Sequence, residues 1–269
     1  MSNEQNQMKP YLSVVIPAYN EEKRIGSTLT AVHDYLTKQP YTWEIVIALD
    51  GPTDDTIGIV ASFAAGKRHV RYIDRKENRG KGYTLREGML AARGEVRLFT
   101  DADNSTDMRH FDQIRPLLQQ GHGVVICSRD GKDAPGARQS VPQPFIKRAL
   151  GNLGNLLIQI LVVPGIWDTR CGFKAFTATA AEQVFSVARM DGWSIDDEAL
   201  ALARRFGHNI AVIGADWIDA EGTHVSRLDY FKNIWEAVHI RWNLMTGVYN
   251  SRPAAPRVES APLVDVKEA

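Results

Sequence analysis

From Leu12 onward the chain repeats one pattern, an apolar β-branched run followed by a helix-length amphipathic segment, and this alternation restricts the fold more than any other feature. Leu12–Ile16 closes on Pro17, and Glu21–Leu36 sets Ile25, Leu29, Val32 and Leu36 at helical spacing. Trp43–Leu49 reads as a second strand, entering the turn Asp50-Gly51-Pro52-Thr53-Asp54 before a helix over Thr56–Ala65. Val70–Ile73 is a third strand. The loop Asn78-Arg79-Gly80-Lys81-Gly82 opens a helix through Ala92, Glu95–Thr100 makes a strand ending at Asp101-Ala102-Asp103, and Gly123–Ser128 makes another ending at Arg129. Strands that alternate with helices build a parallel sheet covered by helices, and such sheets hold ligands at the carboxyl ends of their strands. The expected class is α/β, with a Rossmann-type, mostly parallel sheet.

Beyond Arg129 the character changes. Asp130–Pro144 is loop-like, an apolar helical segment starts at Phe145, and the loop Asp168-Thr169-Arg170-Cys171-Gly172-Phe173-Lys174 precedes a helix around Asp196–Arg205. Ile210–Ile213 adds a strand. A long helix over Leu228–Val248 carries Tyr230, Phe231, Trp235, Val238 and Trp242, and Ser251–Ala269 is a Pro/Ala-rich tail without periodicity, expected to be disordered. With 269 residues and 44% hydrophobic side chains there is material for a sizeable core. Thirty-two basic against 32 acidic residues leave no global field to recruit nucleic acid. Cys127 and Cys171 stand far apart without a CxxC, which argues against a disulfide framework or a zinc site and for a reducing cytoplasm. Met1–Pro10 lacks the apolar core of a secretory signal, so a cytoplasmic location is expected. Leu150–Val163 is broken by Gly151, Asn152, Gly154, Asn155 and Gln159 and falls short of the roughly 20 residues of a spanning helix.

Asp101-Ala102-Asp103 is the sharpest chemical signal. Two carboxylates one small residue apart at a strand end can share a hard cation with a diphosphate, because magnesium takes one or two carboxylates and completes its shell with phosphate oxygens. The competing reading of the bare pattern is a solvated turn that caps the next helix. Asn78–Gly82 supplies flexible backbone, a cation and a helix start, the ingredients for holding phosphate oxygens. Neither GxGxxG nor GxxxxGK[ST] occurs, which removes the main support for dinucleotide oxidoreductases and P-loop NTPases.

Val15-Ile16-Pro17-Ala18-Tyr19-Asn20-Glu21-Glu22, the Asp50-Gly51-x-x-Asp54 turn, Asn78–Gly82 and Asp101-Ala102-Asp103 together resemble the donor-binding half of family-2 glycosyltransferases with the GT-A fold. Gly165–Lys174 and Trp193-Ser194-Ile195-Asp196-Asp197-Glu198 resemble the polyprenyl-phosphate branch, with the first segment nearest to dolichyl-phosphate β-glucosyltransferases. The resemblance reaches to about His224, and the expected organisation is one GT-A-like domain over residues 1–250, a donor half at about 10–128 and a helical acceptor half at about 129–250, with the tail at 251–269 outside it. It implies that Pro17, Tyr19, Glu21 and Asp50 hold the nucleoside, and that Asp101 and Asp103 hold Mg2+ or Mn2+ and the diphosphate. Lys81, Trp193, His224 and Arg227 complete the donor side, with Trp193 stacking on the sugar ring. The chain departs from the family pattern in two places. It has Leu49-Asp50 for the usual Asp-Asp, leaving Asp50 alone to read the base, and Gly222-Thr223-His224 for Gly-Ser-Lys, with Arg227 as the compensating cation.

The implied reaction moves a hexose from a nucleotide sugar to a membrane polyprenyl or dolichyl phosphate, by inversion. A lipid monophosphate is largely dianionic at pH 7 and needs little help from a general base. Arg129 and Lys174 are the cations expected at the acceptor phosphate, with surface ion pairs as the competing reading; Asp103 and Asp196 complete the candidate catalytic set. For the helix from Phe145, an interfacial element with Lys147 and Arg148 at headgroups stands beside a plain core helix. The rival functions are a transferase with a soluble or polysaccharide acceptor, a mannosyl transferase using GDP-mannose, and a nucleotide-sugar-binding regulator without turnover.

Overall fold

The computed structural model describes residues 9–139, 155–218, 227–251 and 263–265. Four βα steps and a fifth strand open it: β1 (Leu12–Ala18), α1 (Ile25–Leu36), β2 (Trp43–Asp50), α2 (Thr56–Ala64), β3 (Val70–Arg75), α3 (Lys81–Ala91), β4 (Val96–Thr100), α4 (Phe111–Gln119) and β5 (Val124–Ser128). Then follow the two-residue β6 (Arg138–Gln139), a helix α5 at 155–161, β7 (Phe173–Thr177), α6 (Ala178–Phe185), α7 (Ile195–Arg205), β8 (Ile210–Gly214), β9 (Asp216–Trp217), α8 (Arg227–Thr246) and β10 (Leu263–Asp265). Eight strands form one sheet in the order β10-β3-β2-β1-β4-β7-β5-β8, while β6 and β9 pair separately.

Parallel register runs from β1 to β2 (Val14↔Ile45), β2 to β3, β1 to β4 and β5 to β8. Because side chains alternate along a strand, the sheet is apolar on both faces, as a parallel sheet covered twice must be. On one face Val15, Val46, Phe99, Val124 and Phe176 pack with α3, α6 and α7; on the other Val14, Ile16, Ile47, Leu98 and Val125 pack with α1, α2 and α4.

The structure departs from the sequence reading in three places. Helix α1 starts at Ile25, because Asn20 takes a left-handed φ of 53° and the Glu21 carbonyl accepts from Arg24 N and Ile25 N in a turn that precedes the helix. Helices α4 and α6 and strand β7 were not anticipated; β7 lies antiparallel between β4 and β5, so Phe173 and Lys174 belong to the sheet and not to a loop. Leu263–Asp265 pairs antiparallel with β3, against the expected disordered tail. In α5 and the turn after it, Ile158, Val162, Val163 and Ile166 are buried in the core, which favours the core-helix reading there; Leu156 and Ile160 face outward, and residues 140–154 lie outside the described residues. No helix among the described residues is long and apolar enough to cross a membrane.

Candidate active site

The antiparallel sense of β7 decides what meets at the carboxyl edge of the sheet. Thr100 at the end of β4 pairs with Phe173 at the start of β7, and Asp101 N donates to the Gly172 carbonyl at 3.1 Å. Gly172 sits so close to the Asp101 carboxylate that any Cβ there would collide with it. Ala102 is buried and its carbonyl accepts from Thr28 Oγ1 of α1 at 2.7 Å, while Asp103 Oδ1 accepts from Ser105 N at 2.9 Å. The acidic turn is thus fixed by a backbone bond to Gly172, by the Thr28 hydroxyl and by Ser105 N, and the Asp101 side chain stays 34% exposed.

Lys81, the first residue of α3, ties this turn to α7. Its Nζ lies 2.9 Å from Asp101 Oδ1 and 3.4 Å from Asp196 Oδ2, with the Trp193 ring 4.9 Å away. Burial alone would depress the Lys81 pKa, but the two carboxylates outweigh it and hold the ammonium charged. Asp196, at the start of α7, also accepts from Lys174 Nζ, whose other partner is the Cys171 carbonyl at 2.7 Å. Burial opposes ionisation of Asp196, yet Lys174 and Lys81 bring its pKa below the usual carboxylate range. Such a group is a fixed anion and a poor proton acceptor at neutral pH.

Several expected roles change with this geometry. Lys174 is fully buried, so its charge is spent on Asp196 and does not face an acceptor. Asp196 likewise is closed between two lysines and offers no free oxygen to substrate. Arg129 forms a two-pronged pair with Asp168, Nε to Oδ2 at 2.7 Å and Nη2 to Oδ1 at 2.9 Å, and keeps only a partly exposed edge beside the Trp217 ring. Asp50 is buried, with its two oxygens taking Arg79 N at 2.8 Å and Gly80 N at 2.9 Å; it secures the 78–80 turn instead of standing open to a base. Tyr19 is exposed at the end of β1, Pro17 is half-buried within it, and Glu21 pairs with Arg24 at 2.7 Å. His224 lies outside the described residues, and Arg227 opens α8.

Spacing did not reveal the loop 189–193. Gly82 N donates to the Asp191 carbonyl at 2.8 Å, and a Cβ on Gly82 would strike the Met190 carbonyl, so this loop lies flush on the start of α3 and delivers Trp193 beside Lys81. Its anchor is Glu198, which accepts from Arg189 N at 3.0 Å, Met190 N at 2.9 Å and the Tyr249 hydroxyl at 2.7 Å. Burial pushes the Glu198 pKa up against those donors. Tyr83 was also missed; its ring is met by the guanidiniums of Arg75, Arg79 and Arg86 at 4.2, 4.6 and 5.0 Å. The one sequence cue to Glu198 was its place in the acidic first turn of α7.

The chain matches the glycosyl transferase family 2 profile over residues 13–185. The chain belongs to that family. It is 34% identical over 223 residues to a dolichyl-phosphate beta-glucosyltransferase of Trichomonas vaginalis, covering 79% of this chain and 67% of the relative. To the human dolichyl-phosphate beta-glucosyltransferase it is 33% identical over 255 residues, covering 88% and 77%. Glucosyl-3-phosphoglycerate synthase from Mycobacterium tuberculosis, crystallised with Mn2+, UDP and glucosyl-3-phosphoglycerate, shares the fold at a TM-score of 0.61 and 20% identity, over 88% of this chain and 80% of that one. This family-2 glycosyltransferase therefore has the GT-A architecture that its motifs implied.

The donor set suits a hard divalent cation in one specific way. Asp101 and Asp103 offer carboxylate oxygens, the donor type that Mg2+ or Mn2+ takes, and among the described residues no group of three His, Cys, Asp or Glu side chains closes round a point.

The Arg129–Asp168 pair yields a pH prediction. Burial favours the neutral acid, but the Arg129 guanidinium outweighs it and holds the Asp168 carboxyl at about 2, against 3.8 in a free chain. A depressed carboxyl stabilises the native state above its unfolded pKa, so this contribution is present above about pH 4 and is lost as pH falls toward about 2. Asp168→Asn should lower stability at pH 7 by about 3 kcal/mol, since it leaves a mostly buried guanidinium without its counter-charge, and should flatten the acid limb between pH 4 and 2. Urea unfolding across that range measures both; an unchanged acid limb would remove Asp168 from the account.

Proposed function

We propose that this enzyme transfers a hexose, glucose in the first place, from a nucleotide sugar to dolichyl or polyprenyl phosphate, working peripherally at the cytoplasmic face of a membrane. The observation that carries the reading is the Asp101-Ala102-Asp103 turn, held by backbone at the sheet's carboxyl edge with Lys81 2.9 Å from Asp101. The similarity to dolichyl-phosphate beta-glucosyltransferases over most of the chain supports the acceptor.

Asp101 and Asp103 would hold Mg2+ or Mn2+, which when bound supplies Lewis-acid neutralisation of a departing diphosphate. The Mn2+ in the glucosyl-3-phosphoglycerate synthase crystals supports a divalent cation in the reading. Lys81, kept charged by Asp101 and Asp196, adds a fixed cation at the same edge. Trp193, exposed beside Lys81, offers an aromatic plane to the sugar. The acceptor phosphate is already dianionic, so no side chain need remove its proton, and direct attack at the anomeric carbon inverts it. Arg129, with its partly open edge, is the cation assigned to the acceptor phosphate; Lys174 acts indirectly, by positioning Asp196 and through it Lys81.

Thermal unfolding with UDP-glucose or GDP-mannose tests the donor side. UDP-glucose with Mn2+ should stabilise the protein by about 2.7 kcal/mol at a hundred times its Kd, and EDTA or Asp101→Asn should abolish the gain. A larger shift with GDP-mannose would reassign the donor, and no shift with any nucleotide sugar would refute the reading.

A further inference from the structure

Helix α8 is apolar on two opposite faces. Ala237, Ile240 and Leu244 pack into the core. On the far side Ile234, Trp235, Val238, Trp242 and Met245 are exposed, with Trp235 at 72%, Trp242 at 64% and Met245 at 69%. At 3.6 residues per turn these five occupy an arc of about 100°. One margin of the arc carries Lys232 and His239 and the other Arg241, all exposed. Glu236, the sole carboxylate between 232 and 246, is mostly buried against Gly192, next to the exposed Trp193 of the candidate site, with one oxygen 3.9 Å from Lys232 Nζ, while the Lys232 side chain stays 64% exposed.

We propose that this outer face of α8 is a docking surface for an anionic lipid bilayer, set beside the sugar-facing side of the site. The proposal rests on the reading above that the acceptor is a membrane lipid phosphate, and it names the surface that brings the enzyme to it. Indoles prefer the headgroup boundary, where one end of the ring is apolar and the other hydrogen-bonds. Cations on both margins of an apolar stripe reach up to anionic headgroups while the stripe enters the acyl boundary. The charge pattern selects the occupant. A second copy docked face to face would bring Lys232 and Arg241 against like charges with no exposed carboxylate from this stretch to answer them, whereas an anionic membrane answers both margins.

The test is co-sedimentation of the full chain with phosphatidylcholine vesicles, with and without phosphatidylglycerol. Wild type should bind the phosphatidylglycerol vesicles, with a blue shift of tryptophan emission. W235S/W242S should lose about tenfold or more in partitioning, and K232E/R241E should lose the preference for phosphatidylglycerol. Both double variants should keep wild-type turnover on a short, water-soluble polyprenyl phosphate and lose it on the long-chain acceptor in vesicles. Equal vesicle binding by wild type and W235S/W242S overturns the surface assignment, as does a dimer in light scattering that W235S/W242S dissolves. If vesicle binding follows the variants but no polyprenyl phosphate is glycosylated, the acceptor reading fails while the docking surface stands.

Discussion

Asp103→Asn is expected to cut kcat for hexose transfer by about a hundredfold or more while leaving Tm within about 2 °C of wild type. The side chain is half-buried, and its hydrogen bond from Ser105 N is one that an Asn Oδ1 keeps. What changes is charge: one of two carboxylates fit to share a cation with a diphosphate becomes a neutral amide. A cation held there would act on the leaving group, so the loss should fall mainly on kcat, with donor KM rising less. The measurement is steady-state kinetics across a Mn2+ titration, with Tm taken in parallel. Near-wild-type turnover for this variant, unaffected by EDTA, would remove the metal from the account.

The second large effect is on stability. Lys174→Met should lower the unfolding free energy by about 3–5 kcal/mol, because it leaves the Asp196 carboxylate buried without its nearest counter-charge. Met matches the lysine stem in shape, so the loss is electrostatic and not a cavity. Adding Asp196→Leu to the variant should recover much of that stability, since a buried pair replaced by apolar groups is often neutral. Transfer should stay low in the double variant, because Lys81 then has Asp101 as its remaining carboxylate partner and its position beside Trp193 is no longer shared between two anchors. Urea unfolding and kinetics on the same three proteins decide this. If Lys174→Met instead kept full stability and raised only the acceptor KM, Lys174 would return to the acceptor role that the sequence suggested.

Lys174 also shows where the sequence stops being readable. A lysine after Gly172-Phe173 reads as a surface cation; it is buried because Phe173–Thr177 slots antiparallel between β4 and β5 and turns Lys174 toward the start of α7. No local pattern announces that insertion, which depends on the edges of two strands already in place. The β1–β5 alternation was legible because each strand is a short apolar run bounded by turn chemistry, and the acidic turn was legible because its chemistry lies within three residues. The partners of the site were not. Lys81 meets Asp196 across 115 residues and Arg129 meets Asp168 across 39, pairings that only the closed sheet creates. The same holds for Leu263–Asp265, whose three residues gain a strand's geometry from β3 and not from their own Pro/Ala-rich surroundings.

The central claim, hexose transfer to a lipid phosphate, is tested most directly by incubating the protein and Mn2+ with radiolabelled UDP-glucose and a polyprenyl phosphate, then partitioning the products between water and organic solvent. The account predicts label in the organic phase as a glycosyl phosphate with inverted anomeric configuration, dependent on both Asp103 and the acceptor's phosphate. Label that stays in water with every polyprenyl phosphate, yet passes to a soluble or polysaccharide acceptor, would contradict it.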